Sequence, residues 1–178
     1  MLGFHPRESG PEQSQASFLS SSNDSSLNVL SETSLREIRD TAILLLSRRD
    51  YSRYELASKL RERYGVAALP HLNDVLDELQ RNGLQSDQRF VEMVLQARRA
   101  RGSGPLRIAQ ELKQKGVSAA EYEAALDANG ESWKELARSV RCKKFGARLP
   151  LGLEEKAKQQ RFLQYRGFSS DQIRAAFS

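Results

Sequence analysis

The side chains able to do chemistry in this sequence are few and scattered. His5 and His71 are the only histidines and Cys142 the only cysteine. Nucleophilic catalysis needs a serine or cysteine beside a base, usually histidine. His71 sits between Pro70 and Leu72, as at an ordinary helix start, and Cys142 lies between Arg141 and Lys143, where a structural role is expected. One cysteine excludes a disulfide framework and a multi-cysteine zinc site. Gly102-Ser-Gly-Pro105 superficially suggests a phosphate loop, but it lacks the Gly-Lys-Ser/Thr ending, and proline at a helix start explains it better. The neighbouring carboxylates Glu154 and Glu155 belong in the first turn of a helix. No metal spacing or dinucleotide fingerprint is present, so neither an enzyme nor a cofactor is expected.

Positive charge is what remains. Net charge is +5, with 11 basic and 13 acidic residues in positions 1–90 but 17 basic and 10 acidic in positions 91–178. The basic half contains three clusters: Arg98, Arg99 and Arg101, followed by Arg107, Lys113 and Lys115; Lys134, Arg138, Arg141, Lys143, Lys144 and Arg148; and Lys156, Lys158, Arg161 and Arg166. Lys134, Arg138 and Arg141 fall on one helix face by their spacing of three and four. Phe145, Phe162, Tyr165 and Phe168 interleave with these charges and are expected mostly in the core. A basic half-molecule suits a polyanionic partner, either a nucleic acid or an acidic protein surface.

The elements that must position these charges read as helices. Ser34 to Glu37, Ser52 to Glu55, Ser118 to Glu121 and Ser169 to Gln172 each have the form of a capping box. Ser86 or Asp87 caps another helix. Apolar residues follow at helical spacing: Leu35, Ile38, Ala42 and Leu45; Leu56, Leu60 and Tyr64; Leu72, Val75, Leu76 and Leu79; Ile108 and Leu112; Trp133, Leu136, Ala137 and Val140. Pro70 and Pro105 suit first turns, and Gly65, Gly116 and Gly167 suit left-handed caps. Asn82-Gly83 and Asn129-Gly130 read as stops.

Gly65, Gly116 and Gly167 are 51 residues apart. Leu112, Ser118, Ala124 and Ala125 match Leu163, Ser169, Ala175 and Ala176 at the same offset. The expected fold is all-α: three tandem three-helix repeats over residues 33–83, 84–130 and 131–178, stacked into a curved, elongated array. Residues 1–32 are serine-rich with scattered apolar residues, and are expected to form a disordered tail. The longest apolar run, Ala42–Leu46, is far short of the roughly 18 residues of a membrane span, and Glu8 and Glu12 do not suit a signal peptide. A cytoplasmic protein is expected.

Certain residues carry a resemblance. Asp87-Gln-Arg-Phe90, Arg98-Arg99, Gly102-Ser-Gly-Pro105, Arg107-Ile108, Glu111-Leu112 and Gly116-Val117 resemble the central signature of the bacterial RecX family. Lys156, Arg161-Phe-Leu163, Arg166-Gly-Phe-Ser169 and Ile173 resemble its C-terminal signature. Tyr51-Ser52, Glu55-Leu56, Leu60, Leu79 and Gly83-Leu84 look like its first repeat. Val91 departs from the alanine of many members, a packing change. The resemblance spans residues 34–178 and implies a three-repeat regulator of the RecA recombinase, active in DNA repair, DNA recombination and the SOS response. Such a protein binds the RecA filament on single-stranded DNA and limits its growth, ATPase, strand exchange and co-protease activity.

The basic positions matching the family pattern are Arg98, Arg99, Arg107, Lys156, Arg161 and Arg166; charge alone adds Lys143, Lys144 and Arg148. Phe90, Ile108, Leu112, Leu163 and Ile173 are expected in the core, Gly116 and Gly167 as caps, and Asp87 as a helix N-cap. A monomer with weak nonspecific affinity for single-stranded DNA is expected. The alternative is a direct DNA-binding protein whose three-helix units act like helix-turn-helix modules. Against it, the second helix of residues 52–82 carries Asp74, Asp77 and Glu78, which phosphates would repel.

Overall fold

The computed structural model describes residues 35–65 and 69–178. The expected tail and the capping role of Ser34 lie outside the described residues. Nine helices follow one another among those described, with no strand. They are α1 (35–46), α2 (Arg53–Tyr64), α3 (Leu69–Arg81), α4 (Asp87–Ala100), α5 (Pro105–Gln114), α6 (Ala119–Asp127), α7 (Gly130–Phe145), α8 (Leu153–Tyr165) and α9 (Ser170–Ala175). The helices form three consecutive three-helix units, as the periodicity requires.

The helix starts follow the sequence signals, with three corrections. Ser52 caps α2 by accepting from the Glu55 amide at 3.0 Å, but Glu55 does not return the bond; Arg49 and Lys115 hold its carboxylate instead. Ser86, not Asp87, is the N-cap of α4. Asp87 turns back toward the first unit, where its Oδ1 accepts from the Arg53 amide at 2.7 Å and from Gln85 Nε2 at 2.8 Å. Gly130 opens α7 rather than stopping α6, so only Ala128 and Asn129 join these helices. In α9 the box closes both ways, with Ser169 N–H donating to Gln172 Oε1 at 2.9 Å.

Each unit encloses an apolar cluster. Ile38, Leu56, Leu60, Leu76 and Leu79 fill the first, and Phe90, Ile108, Leu112 and Trp133 the second. Ala137, Leu163, Phe168 and Ile173 fill the third. Trp133 lies on the first helix of the third unit yet packs into the second core, where its Nε1 donates to the Leu126 carbonyl at 3.0 Å. Truncating a fully buried leucine such as Leu112 or Leu163 to alanine would cost about 2–5 kcal/mol.

The units meet through one joint used twice. At the first, Ser52 Oγ donates to the Lys115 carbonyl at 2.6 Å, and Gly116 lies against Tyr54. At the second, the Gly104 and Leu106 amides donate to the Arg166 and Gly167 carbonyls at 2.8 and 3.0 Å, and Gly167 lies against Arg107. The start of α2 therefore abuts the end of α5, and the start of α5 abuts the end of α8. Both glycines have positive φ, +72° and +87°. Beyond each, the next amide bonds back five residues: Val117 to Leu112 and Phe168 to Leu163. This is the bonding of a left-handed helix cap.

Candidate functional site

Positive charge from three separate sequence clusters converges where α4 ends, beside α7 and α8. A groove of about 410 Å³ there is lined by Arg99, Arg101, Lys143, Lys144 and Arg166, over a floor that includes Leu136, Val140 and Phe162. No lining residue is acidic. The groove exists because the α4–α5 turn presses onto α7: Gly102, at φ +73°, leaves room for Val140 Cγ2, which would stand 2.7 Å from a Cβ at that position.

The groove cations are held differently. Lys143 and Lys144 are exposed on the last turn of α7. Arg166 donates to the Arg101 carbonyl at 2.9 Å and stands 5.3 Å from the Phe162 ring centre. Arg99 is a structural tie as well as a wall: it donates to Asn129 Oδ1 and to Ser132 Oγ, and lies 4.8 Å over Trp133. Both of its oxygen partners are neutral, so its charge is not cancelled by them. Phe162 meets Phe145 edge to face at 5.3 Å.

The other expected site residues lie elsewhere. Arg98 forms a bidentate ion pair with Glu111, at 2.6 and 2.7 Å, joining α4 to α5. The hydrogen bonds from Arg98 hold the Glu111 carboxyl below the usual carboxylate range against the opposing effect of burial, with Lys115 and Arg107 adding attraction. Arg107 lines a second groove, of mixed charge, with Glu111, Lys115 and Tyr165. Arg148, Lys156 and Arg161 are exposed and are not among the lining residues of the first groove.

Arg141, placed on one helix face with Lys134 and Arg138 by its spacing, does not add to an exposed basic cluster: it is 2% exposed, inside the third unit. Of the aromatics expected mostly in the core, Phe168 is buried, whereas Tyr165 is 78% exposed, beneath Arg107. Sequence reasoning placed Arg101 in a basic cluster but not in the site. It also missed the aliphatic floor, because Leu136 and Val140 read as ordinary core positions.

Among the described residues no group of His, Cys, Asp and Glu could hold a metal ion, and no helix is long and apolar enough to cross a membrane. The fold and groove define a class: a helical-repeat protein of three three-helix units with a basic groove over an apolar floor. Residues 86–126 match the family model for the second three-helix domain of RecX, and residues 134–177 the model for the third. The chain is 43% identical over 139 residues to the regulatory protein RecX of Halorhodospira halophila, covering 78% of this chain and 85% of that protein. To the regulatory protein RecX of Pseudomonas syringae pv. tomato it is 43% identical over 137 residues, 76% of this chain and 86% of that one. This chain belongs to the RecX family. In fold it is similar to the crystal structure of RecX from Lactobacillus salivarius, with TM-score 0.70 and 19% identity over 82% of this chain and 95% of that one.

Proposed function

We propose that this protein binds the filament that RecA forms on single-stranded DNA and limits its growth, so lowering RecA's ATPase, strand exchange and co-protease activity. It acts as a cytoplasmic, monomeric, non-enzymatic regulator. The observation that carries this reading is the convergence of Arg99, Arg101, Lys143, Lys144 and Arg166 on one groove without an acidic lining residue, in a chain whose relatives are regulatory proteins of the RecX family. Such a surface suits a polyanionic assembly, and several cations acting together steer association. Arg148, Lys156 and Arg161 extend the positive field, whereas Arg98 contributes through the ion pair that fixes α4 on α5.

The test is RecA's ATPase on single-stranded DNA with this protein titrated in. Strong inhibition far below the RecA concentration is expected. Unchanged hydrolysis at equimolar protein would reject the reading. The direct DNA-binding alternative is disfavoured by Asp74 and Asp77, which line a groove on α3 beside Gln80 and Arg81. Anisotropy with bare single-stranded DNA across a salt series separates the two, because phosphate binding falls steeply with salt.

A further inference from the structure

The connection from α7 to α8 and the first residue of α8 carry three leucines that the fold leaves in solvent. Leu149 is 49% exposed, Leu153 88% and Leu151 fully exposed. Single exposed leucines are ordinary, but three within five residues, on a short loop and the helix start it leads into, make a concentrated apolar tip.

The loop is held from beneath. The Arg141 guanidinium, 2% exposed, donates to the Arg148 carbonyl at 3.2 Å and, more weakly, to the Ala147 carbonyl at 3.4 Å and Gln159 Oε1 at 3.5 Å. It also lies 5.5 Å from the Phe177 ring centre. No ion pair joins it to a carboxylate among the described residues, and its Nε is buried without a hydrogen-bond partner. Burying a cation on neutral partners alone is costly, and an apolar residue of similar volume would pack there more favourably. A buried charge spent on fixing a loop, with leucines displayed at its tip, fits a loop whose position matters for binding.

We propose that residues 147–153 are a docking loop, whose leucines insert into an apolar cleft on the protein component of the filament while acidic residues at the rim of that cleft face Lys143, Lys144 and Arg148. This inference rests on the function proposed above and names the part of the partner that the loop reads. The flanking charge selects the occupant. Lys143, Lys144 and Arg148 repel a second copy of this same basic surface. Leucine offers no aromatic face on which a nucleic-acid base stacks.

The experiment compares the parent with a Leu151→Ser/Leu153→Ser variant, binding to preformed RecA filaments on poly(dT) with a slowly hydrolysed ATP analogue. Both side chains are exposed, so the variant is expected to melt with the parent. Its affinity for the filament should fall about tenfold or more, since each loses several apolar carbons to bury. The deficit should persist at high salt, where a deficit from lost charges shrinks. Affinity for bare poly(dT) should be unchanged.

Equal filament binding by parent and variant would overturn the docking loop while leaving the proposed function intact. A parent that fails to bind the filament would overturn both. Parental dimers in sedimentation that dissociate in the variant, or parental binding to anionic vesicles that the variant loses, would assign the leucines to a second copy or to lipid and equally overturn the inference.

Discussion

Gly116 lies so close to Tyr54 that a methyl group on its α-carbon would stand 2.5 Å from Tyr54 Cβ. Gly116 caps α5 in the second unit and Tyr54 lies in the first turn of α2 in the first. One glycine therefore serves two purposes: it supplies the positive φ that ends a helix, and it lets the neighbouring unit dock. Gly83 has the same backbone conformation, φ +67°, but open space around it.

The contrast gives a graded prediction. Gly83→Ala should cost about 1 kcal/mol, the backbone strain alone. Gly116→Ala should cost about 2 kcal/mol or more, because overpacking against Tyr54 adds to that strain. Thermal or denaturant melts of the two variants check this. Equal losses would mean that the first and second units are not packed through Gly116.

A complementary test uses Gly104, whose φ of −83° suits any residue. A Cβ there would fall on the Gly167 carbonyl group, which is backbone and cannot rotate away. Gly104→Ala should therefore destabilise the joint between the second and third units by about 1–3 kcal/mol, with no contribution from φ. Hydrogen exchange should show the loss of protection concentrated at the Gly104 and Leu106 amides, which bond across that joint.

Stability should fall in acid through two carboxylates. Burial pushes the Glu55 carboxyl up, but hydrogen bonds from Arg49 and Lys115 outweigh it and hold it below the usual range. Glu111 is held low by Arg98. A carboxyl with a lowered folded-state pKa stabilises the fold above its unfolded value, about 4.3, and that contribution disappears as pH drops through the folded value. The melting temperature should decline below about pH 5. Glu111→Gln should show a smaller decline over the same window. An unchanged acid profile in this variant would remove Glu111 from the account.

Charge reversal should separate the exposed cations of the groove from the tied one. Lys143→Glu/Lys144→Glu should alter stability by about half a kcal/mol per site or less, while weakening filament binding about tenfold or more at low salt. Arg99→Glu should instead lower stability by about 1–3 kcal/mol, since Asn129, Ser132 and Trp133 lose their common partner. Circular dichroism melts beside filament co-sedimentation give both quantities. A folded Lys143→Glu/Lys144→Glu protein that binds like the parent would reject this part of the groove.

Local signals determine much of this protein. The helix starts at Ser52, Pro105 and Ser169 and the caps at Gly116 and Gly167 depend on backbone chemistry within a few residues, so spacing and residue type suffice to find them. Burial of Phe90, Ile108, Leu112 and Leu163 follows from helical period, because a face that repeats every third or fourth residue must be covered. The 51-residue interval of the glycines likewise announces a repeat.

Tertiary structure alone decided which charges are available. Arg98, Arg99, Arg141 and Lys143 are alike in sequence, but one is paired with Glu111, one spans two units, one is buried and one is exposed. Asp87 looks like a cap and instead holds the Arg53 amide of another helix. These outcomes depend on groups brought together from tens of residues away. A long cationic side chain responds to whichever carboxylate, carbonyl or ring the packing places within its reach.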